Sequence, residues 1–399
     1  MPYQINSARL GRLLACAMVL SLVACGGGGS TPTSAVSEVL PALQASSREV
    51  SNNSTPLIRY AYVPNYDTND VSTFKVNATT GALNWVSNVP TGTGPGSVVV
   101  DATGTHAYVP NFDSNDISAY AIDANSGALK QIGTPVATGL WPAALSISPS
   151  GRFAYVANFI SNNISIFLID AVTGGLSSMG TATTGINPRY LVIDPTGRFV
   201  YTANWGSRDV SIFAANADTG LLTQIGSPLA VNSTPFNLTA DQAGSHLYMT
   251  NFLGVAGANS VSVLHIDPTS GTLTDGGANV AAGAHPIAMA MDPTGHFAYV
   301  VNNLNGVGGN SVSAFSVDTV SGVITPIDCG CGQYGYAAGM NPSSVTISPS
   351  GTHLYVSNVT SNDIVIYTIH SSSGALTRVG STTTAGAYPM GIAFTPVLL

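Results

Sequence analysis

Few side chains in this sequence could act on a substrate. Past residue 56 there is no glutamate, since Glu38 and Glu49 both precede it. The groups left for acid–base or electrophilic work are Arg189 in NPRYLVI, His285 in GAHPIAM and Asp209 in RDVSIF. A guanidinium polarises a substrate oxygen, an imidazole moves a proton near neutral pH, and a carboxylate can do the same. No G-x-S-x-G elbow, phosphate loop or zinc-ligand cluster accompanies them, so neither a metal nor a cofactor is expected. DTND (67–70) and DSND (113–116) invite a calcium reading, but Asx turns explain such loops at least as well.

A second set of residues is suited to binding. Tyr66, Phe112, Phe159, Trp205 and Phe252 each follow an asparagine, and Trp141 and Tyr388 each precede a proline. Tyr190 follows Arg189, and Phe236 follows a proline. Rings offer large contact area at low entropic cost. Two readings stay open: a stacking surface for a sugar, aromatic molecule or peptide, or loops packed against one another.

The elements that must position these residues are repeats. YVPNYDTNDVSTFKV (62) returns as YVPNFDSNDISAYAI (108), YVANFISNNISIFLI (155) and YTANWGSRDVSIFAA (201), and again from 248, 299 and 355. The tyrosines are 46, 47, 46, 47, 51 and 56 residues apart, a period of short strands that fits a β-propeller blade. Each period reads as four strands. Strand A is apolar, strand B holds the Tyr and ends at Asn, strand C alternates, and strand D follows a TGAL-like turn. No sustained 3.6-residue period occurs, so almost no helix is expected. The first unit lacks a strand A and the C-terminal YPMGIAF (388–394) supplies one. Joining them predicts an all-β, seven-bladed propeller over residues 57–399, closed without a free edge and monomeric. The recurring Tyr should pack between blades and the recurring Asn should bond the turn.

Function is then expected where the copies differ. The B–C loops 251–259 and 302–310 run four residues longer than 111–115, and the crossover 324–342 is about five residues longer than its counterparts. In a propeller the B–C loops and D–A crossovers share a face, so that face is the predicted working surface.

The N-terminus reads as a processing segment. Arg9 and Arg12 precede the apolar LLACAMVLSLVA (13–24), too short to span a bilayer, and LVAC resembles a lipobox with Cys25 as the lipidated residue. Gly26 after the cysteine fits outer-membrane sorting in a Gram-negative cell, and residues 25–56 read as a Gly/Ser/Thr/Ala tether. Removing residues 1–24 leaves 9 basic against 19 acidic side chains, a net of −10, which argues against a nucleic-acid partner. Export leaves Cys329 and Cys331, in CGCG, as a local disulfide or two loop thiols.

The P-[ST]-G-x-[FH]-x-Y-V-x-N unit resembles that of lactonase-type seven-bladed propellers, the 6-phosphogluconolactonase family with its YVTN-repeat relatives. The resemblance implies a catalytic His after a crossover proline, a GPRH-like segment in the next blade, and a Glu after that blade's strand-B Asn. Those positions hold Ala143, NPRY with Arg189 matched and Tyr190 in place of His, and Trp205. Three functions remain open. One is a lipid-anchored envelope propeller that binds a small molecule, glycan or protein partner. The others are a lactone hydrolase with relocated groups built on Arg189, His285 and Asp209, and a structural component of the envelope.

Overall fold

The computed structural model describes residues 59–254, 259–277, 279–304, 309–330 and 335–396. The expected signal segment, Cys25, the expected tether and Cys331 lie outside them. The described residues form seven antiparallel sheets and no helix. Blade 1 runs, from rim to centre, Leu83–Pro90, Asp70–Val76, Arg59–Asn65 and Ala393–Phe394. The last of these is the C-terminal strand, paired Tyr62↔Ala393 and Ala61↔Phe394, so the ring closes as the repeat count requires.

Strand B is buried along all or nearly all of its length, as in His106–Asn111 and Phe153–Asn158, because each blade packs both faces against its neighbours. For the same reason strand C does not show the alternation expected of a half-solvated strand. Four successive residues of Asp116–Ile122 are buried, and exposure returns only at its ends. Strand D is also less regular than expected. In blades 2 and 4 to 7 it splits into a three-residue and a two-residue piece, both paired with strand C. Short broken edges protect a rim from further pairing.

The recurring tyrosine is an inter-blade clamp. Tyr62, Tyr108, Tyr155, Tyr201, Tyr248, Tyr299 and Tyr355 each donate their hydroxyl to a glycine carbonyl in the next blade's C–D turn, at 2.8–3.0 Å. The accepting glycines hold φ between +68° and +73°. A Cβ there would overlap the ring two residues before the Tyr, as Gly174 shows against His106. Both constraints leave only glycine.

The recurring asparagine works differently from a simple turn cap. In blades 1 to 6 its Nδ2 donates to the serine two residues into strand C, as Asn65 to Ser72 at 2.8 Å and Asn204 to Ser211 at 2.8 Å. In every blade it donates to the residue that opens strand C: Asp70, Asp116, Asp209 or Asp363 in blades 1, 2, 4 and 7, Asn163 in blade 3, and Ser260 or Ser311 in blades 5 and 6.

Candidate functional site

The B–C loops and the crossovers meet at one end of the wheel, and a second asparagine sets their geometry. In six blades the B–C loop Asn, at positive φ, accepts a hydrogen bond from the backbone N–H just before the next crossover proline. Examples are Asn115 to Trp141 at 2.7 Å, Asn259 to His285 at 2.8 Å and Asn362 to Tyr388 at 2.8 Å. The donating residues also sit at positive φ: +59° for Trp141, +53° for His285 and +62° for Tyr388. Bulky side chains seldom adopt this region, so the crossovers hold three candidate residues in a conformation that the surrounding bonds must enforce. No sequence pattern announces a positive φ at Trp, His or Tyr, and the reading by residue type missed it.

Blade 4 breaks this rule. Arg208 occupies the Asn position, keeps φ at +56°, and Thr234 before the proline takes an ordinary conformation. Strand A of blade 5 then runs unbroken through the crossover as Ser233–Ala240, beside a strand B lengthened to His246–Gly254.

The rings form two runs. Phe112, Trp141, Phe159 and Trp205 follow one another at centroid distances of 4.6, 6.0 and 6.2 Å. Phe236 and Phe252 lie 5.1 Å apart, His285 is 4.5 Å from Phe252, and the Arg189 guanidinium sits 4.7 Å from the Phe236 ring. Tyr66 and Tyr388 make a further contact at 5.7 Å. Much of this ring surface is enclosed. Tyr66, Phe112, Phe159, Tyr190 and Phe236 are buried, while Trp141, Trp205, Phe252, His285 and Tyr388 are half-buried.

The three candidate catalytic groups have separate surroundings. Arg189 is 1% exposed and stacked on Phe236. His285 reaches the same neighbourhood through Phe252, so two phenylalanine rings stand between them. Burial pushes the His285 imidazole below its ordinary range, which keeps it neutral near pH 7. Asp209 accepts from Asn204 Nδ2 at 2.6 Å, the job that Asp70, Asp116 and Asp363 do in their blades. Burial pushes the Tyr190 phenol well up. Among the described residues no group of three or more His, Cys, Asp or Glu could hold a metal.

One sequence expectation needs correction. The long crossover 324–342 is expected on the working face. Its described residues 327–330 and 335 instead leave and rejoin strand D between Ile324–Pro326 and Tyr336–Ala337, both paired with Ser311–Val317, on the rim of blade 6. The residues inserted in the two longer B–C loops, 255–258 and 305–308, lie outside the described residues. Cys329, on that rim segment, is disulfide-bonded. A cavity of about 100 Å³ in the central channel opens at the other end, among Ser148, Pro149, Asp194 and Pro195 of the A–B turns, with Tyr190 in its wall.

The closed seven-bladed wheel with a strand-B Tyr–Asn unit defines the class. The family model for lactonase, a 7-bladed β-propeller, matches residues 53–140, 136–236, 237–333 and 310–397, and the chain belongs to that family. A 6-phosphogluconolactonase of Pectobacterium carotovorum is 32% identical over 103 residues, which is 25% of this chain and 29% of that protein. Among solved structures, a protein from Bacteroides fragilis provisionally assigned as 6-phosphogluconolactonase is 23% identical. It superposes with a TM-score of 0.74 over 86% of this chain and 99% of its own. The Pseudomonas aeruginosa periplasmic gluconolactonase is 18% identical, with a TM-score of 0.73 over 86% of this chain and all of its own. These likenesses speak for the fold.

Proposed function

We propose that this lactonase-family propeller is an exported, lipid-anchored binding protein that holds a ligand at the B–C loop and crossover face without turning it over. One observation carries this reading. The three positions where the family resemblance implies a His, a His and a Glu hold Ala143, Tyr190 and Trp205. Ala143 and Tyr190 are buried, and Trp205 packs against Phe159. The nearest carboxylate in sequence, on Asp209, is committed to Asn204. A site without a positioned proton acceptor binds better than it hydrolyses. Anchoring through Cys25 would hold the wheel at the outer membrane of a Gram-negative envelope.

The second reading is lactone hydrolysis, favoured by family membership and by a neutral His285 sharing a ring stack with Arg189. Calorimetric titration of the full-length chain with gluconolactone and with a neutral glycan, run beside pH-stat measurement, separates the two. Saturation without proton release supports binding. Proton release that disappears in Arg189→Ala or His285→Ala overturns binding in favour of hydrolysis.

A further inference from the structure

Across blades 1 to 4 the candidate face carries a strip whose chemistry changes along its length. At one end stand the exposed carboxylates of Asp67 and Asp113, joined through Tyr66, whose hydroxyl donates to Asp113 Oδ2 at 2.8 Å. In the middle Leu140, Ile160 and Ile186 are 52%, 43% and 55% exposed. They are contiguous. The Ile160 N–H donates to the Leu140 carbonyl at 3.2 Å, and Asn187, beside Ile186, donates to the Phe159 carbonyl at 2.9 Å. At the far end Arg208 is exposed, and among the described residues no other exposed Lys or Arg lies on this face.

The middle of the strip is aliphatic where it meets water. The rings beneath it, Phe112 at 2% and Phe159 at 4% exposure, have no open face for a sugar to stack on. Branched aliphatic surface gains most from covering by other apolar side chains. The ring-to-ring steps of 4.6, 6.0 and 6.2 Å from Phe112 to Trp205 trace the length. At ~3.3 Å per extended residue they accommodate about five residues. Unlike charges at the two ends fix the orientation of whatever lies between them.

We propose that this strip docks an extended polypeptide segment of a partner protein. Its apolar side chains lie over Leu140, Ile160 and Ile186, with a basic group against Asp67 and Asp113 and a carboxylate against Arg208. The inference rests on the binding reading above and names its ligand class.

The test is calorimetric titration of the full-length chain with the end-capped hexapeptide Arg-Leu-Ile-Val-Leu-Asp. The polar peptide Arg-Ser-Thr-Ser-Thr-Asp and a neutral hexasaccharide serve as comparisons. The first peptide saturates, and Leu140→Asp or Ile186→Asp weakens it about tenfold or more, the cost of one desolvated anchor. Replacing Asp67 and Asp113 by Asn weakens it several-fold and flattens its salt dependence. These side chains are exposed, so melting stays near the wild-type value and reports that each variant is folded. Equal binding of the two peptides, or of the first peptide to wild type and Ile186→Asp, overturns the proposal. Saturation by the hexasaccharide alone overturns it while leaving the binding reading standing. Lactone turnover with no peptide binding overturns both.

Discussion

The hydroxyl of Tyr355 donates to the carbonyl of Gly81 at 2.8 Å, joining the last blade to the first across 274 positions of sequence. It is the same bond that ties every other pair of blades, so the closing seam is built from the common part. Gly81 holds φ at +71°, and a Cβ on it would stand 2.5 Å from the His353 ring. Gly81→Ala should therefore cost about 2–4 kcal/mol, combining left-handed strain with overpacking. Tyr355→Phe, which only removes the hydroxyl, should cost about 1 kcal/mol. Urea denaturation of both variants checks the ordering, and a smaller loss from Gly81→Ala than from Tyr355→Phe would refute it.

Seven buried clamps also make an alkaline prediction. Burial raises the phenol pKa of Tyr62, Tyr108, Tyr155, Tyr201, Tyr248, Tyr299 and Tyr355, with Tyr155 pushed up to about 12. A group whose folded pKa is raised supports the fold fully below its unfolded value and loses that support as pH climbs. Stability should be flat up to about pH 10, the ordinary tyrosine value, and fall steeply beyond it. Phenolate absorbance should appear together with loss of β-sheet circular dichroism. Phenolate appearing well before unfolding would count against sevenfold burial.

On the acid side the sign reverses. Burial lowers the His353 imidazole pKa, so the unfolded chain takes up its proton first as pH falls. The support from neutral His353 is full above the ordinary histidine value, near about 6.5, and is lost as pH drops toward the folded value. Blades 3, 4 and 6 place Phe153, Phe199 and Phe297 at the same step before the clamp tyrosine. His353→Phe should thus fit, give up the 2.9 Å contact with Thr352 Oγ1, and reduce the acid sensitivity of the closing seam. Melting temperatures at pH 5 and pH 8 measure this. An unchanged difference between them would remove His353 from the account.

The wheel was legible in the sequence because its signals are repeated: a Tyr, an Asn and a glycine turn recur in every blade. The count, the closure and the clamp residues follow from that periodicity. The site was less legible because its departures from symmetry are conformational. Trp141 and His285 look like loop residues until their positive φ is seen, and Asp209 looks catalytic until Asp70 and Asp116 are found making the same bond. The third insertion misled for a related reason. A broken strand D cannot be told from a long crossover by residue counting, and its second piece, Tyr336–Ala337, returns to the sheet after the inserted residues.

Burial separates two apolar residues of the candidate face. Phe159 is 4% exposed among core side chains, whereas Ile186 is 55% exposed on the same face. Phe159→Ala should cost about 3–5 kcal/mol through transfer and cavity terms, and Ile186→Ser within about 0.5 kcal/mol. Loss of binding in Phe159→Ala would thus be confounded by unfolding, while loss in Ile186→Ser would not. Thermal melts of both variants decide this, and a Phe159→Ala protein that melts like wild type would mean that the ring is not part of the core.

Arg208 provides the sharpest opposition between fold and function. Asparagine readily adopts the left-handed region that the other six blades use at this place, whereas Arg208 holds it against its steric preference. Arg208→Asn relieves that strain, so it should raise stability by about 1 kcal/mol. The same substitution removes the exposed cation at the end of the strip, so it should weaken the Arg-Leu-Ile-Val-Leu-Asp peptide. A gain in melting temperature with a loss of binding is the expected pair, the pattern of a residue kept against the interest of the fold. If Arg208→Asn is neutral in denaturant and leaves peptide affinity intact, arginine at this position is neither strained nor engaged.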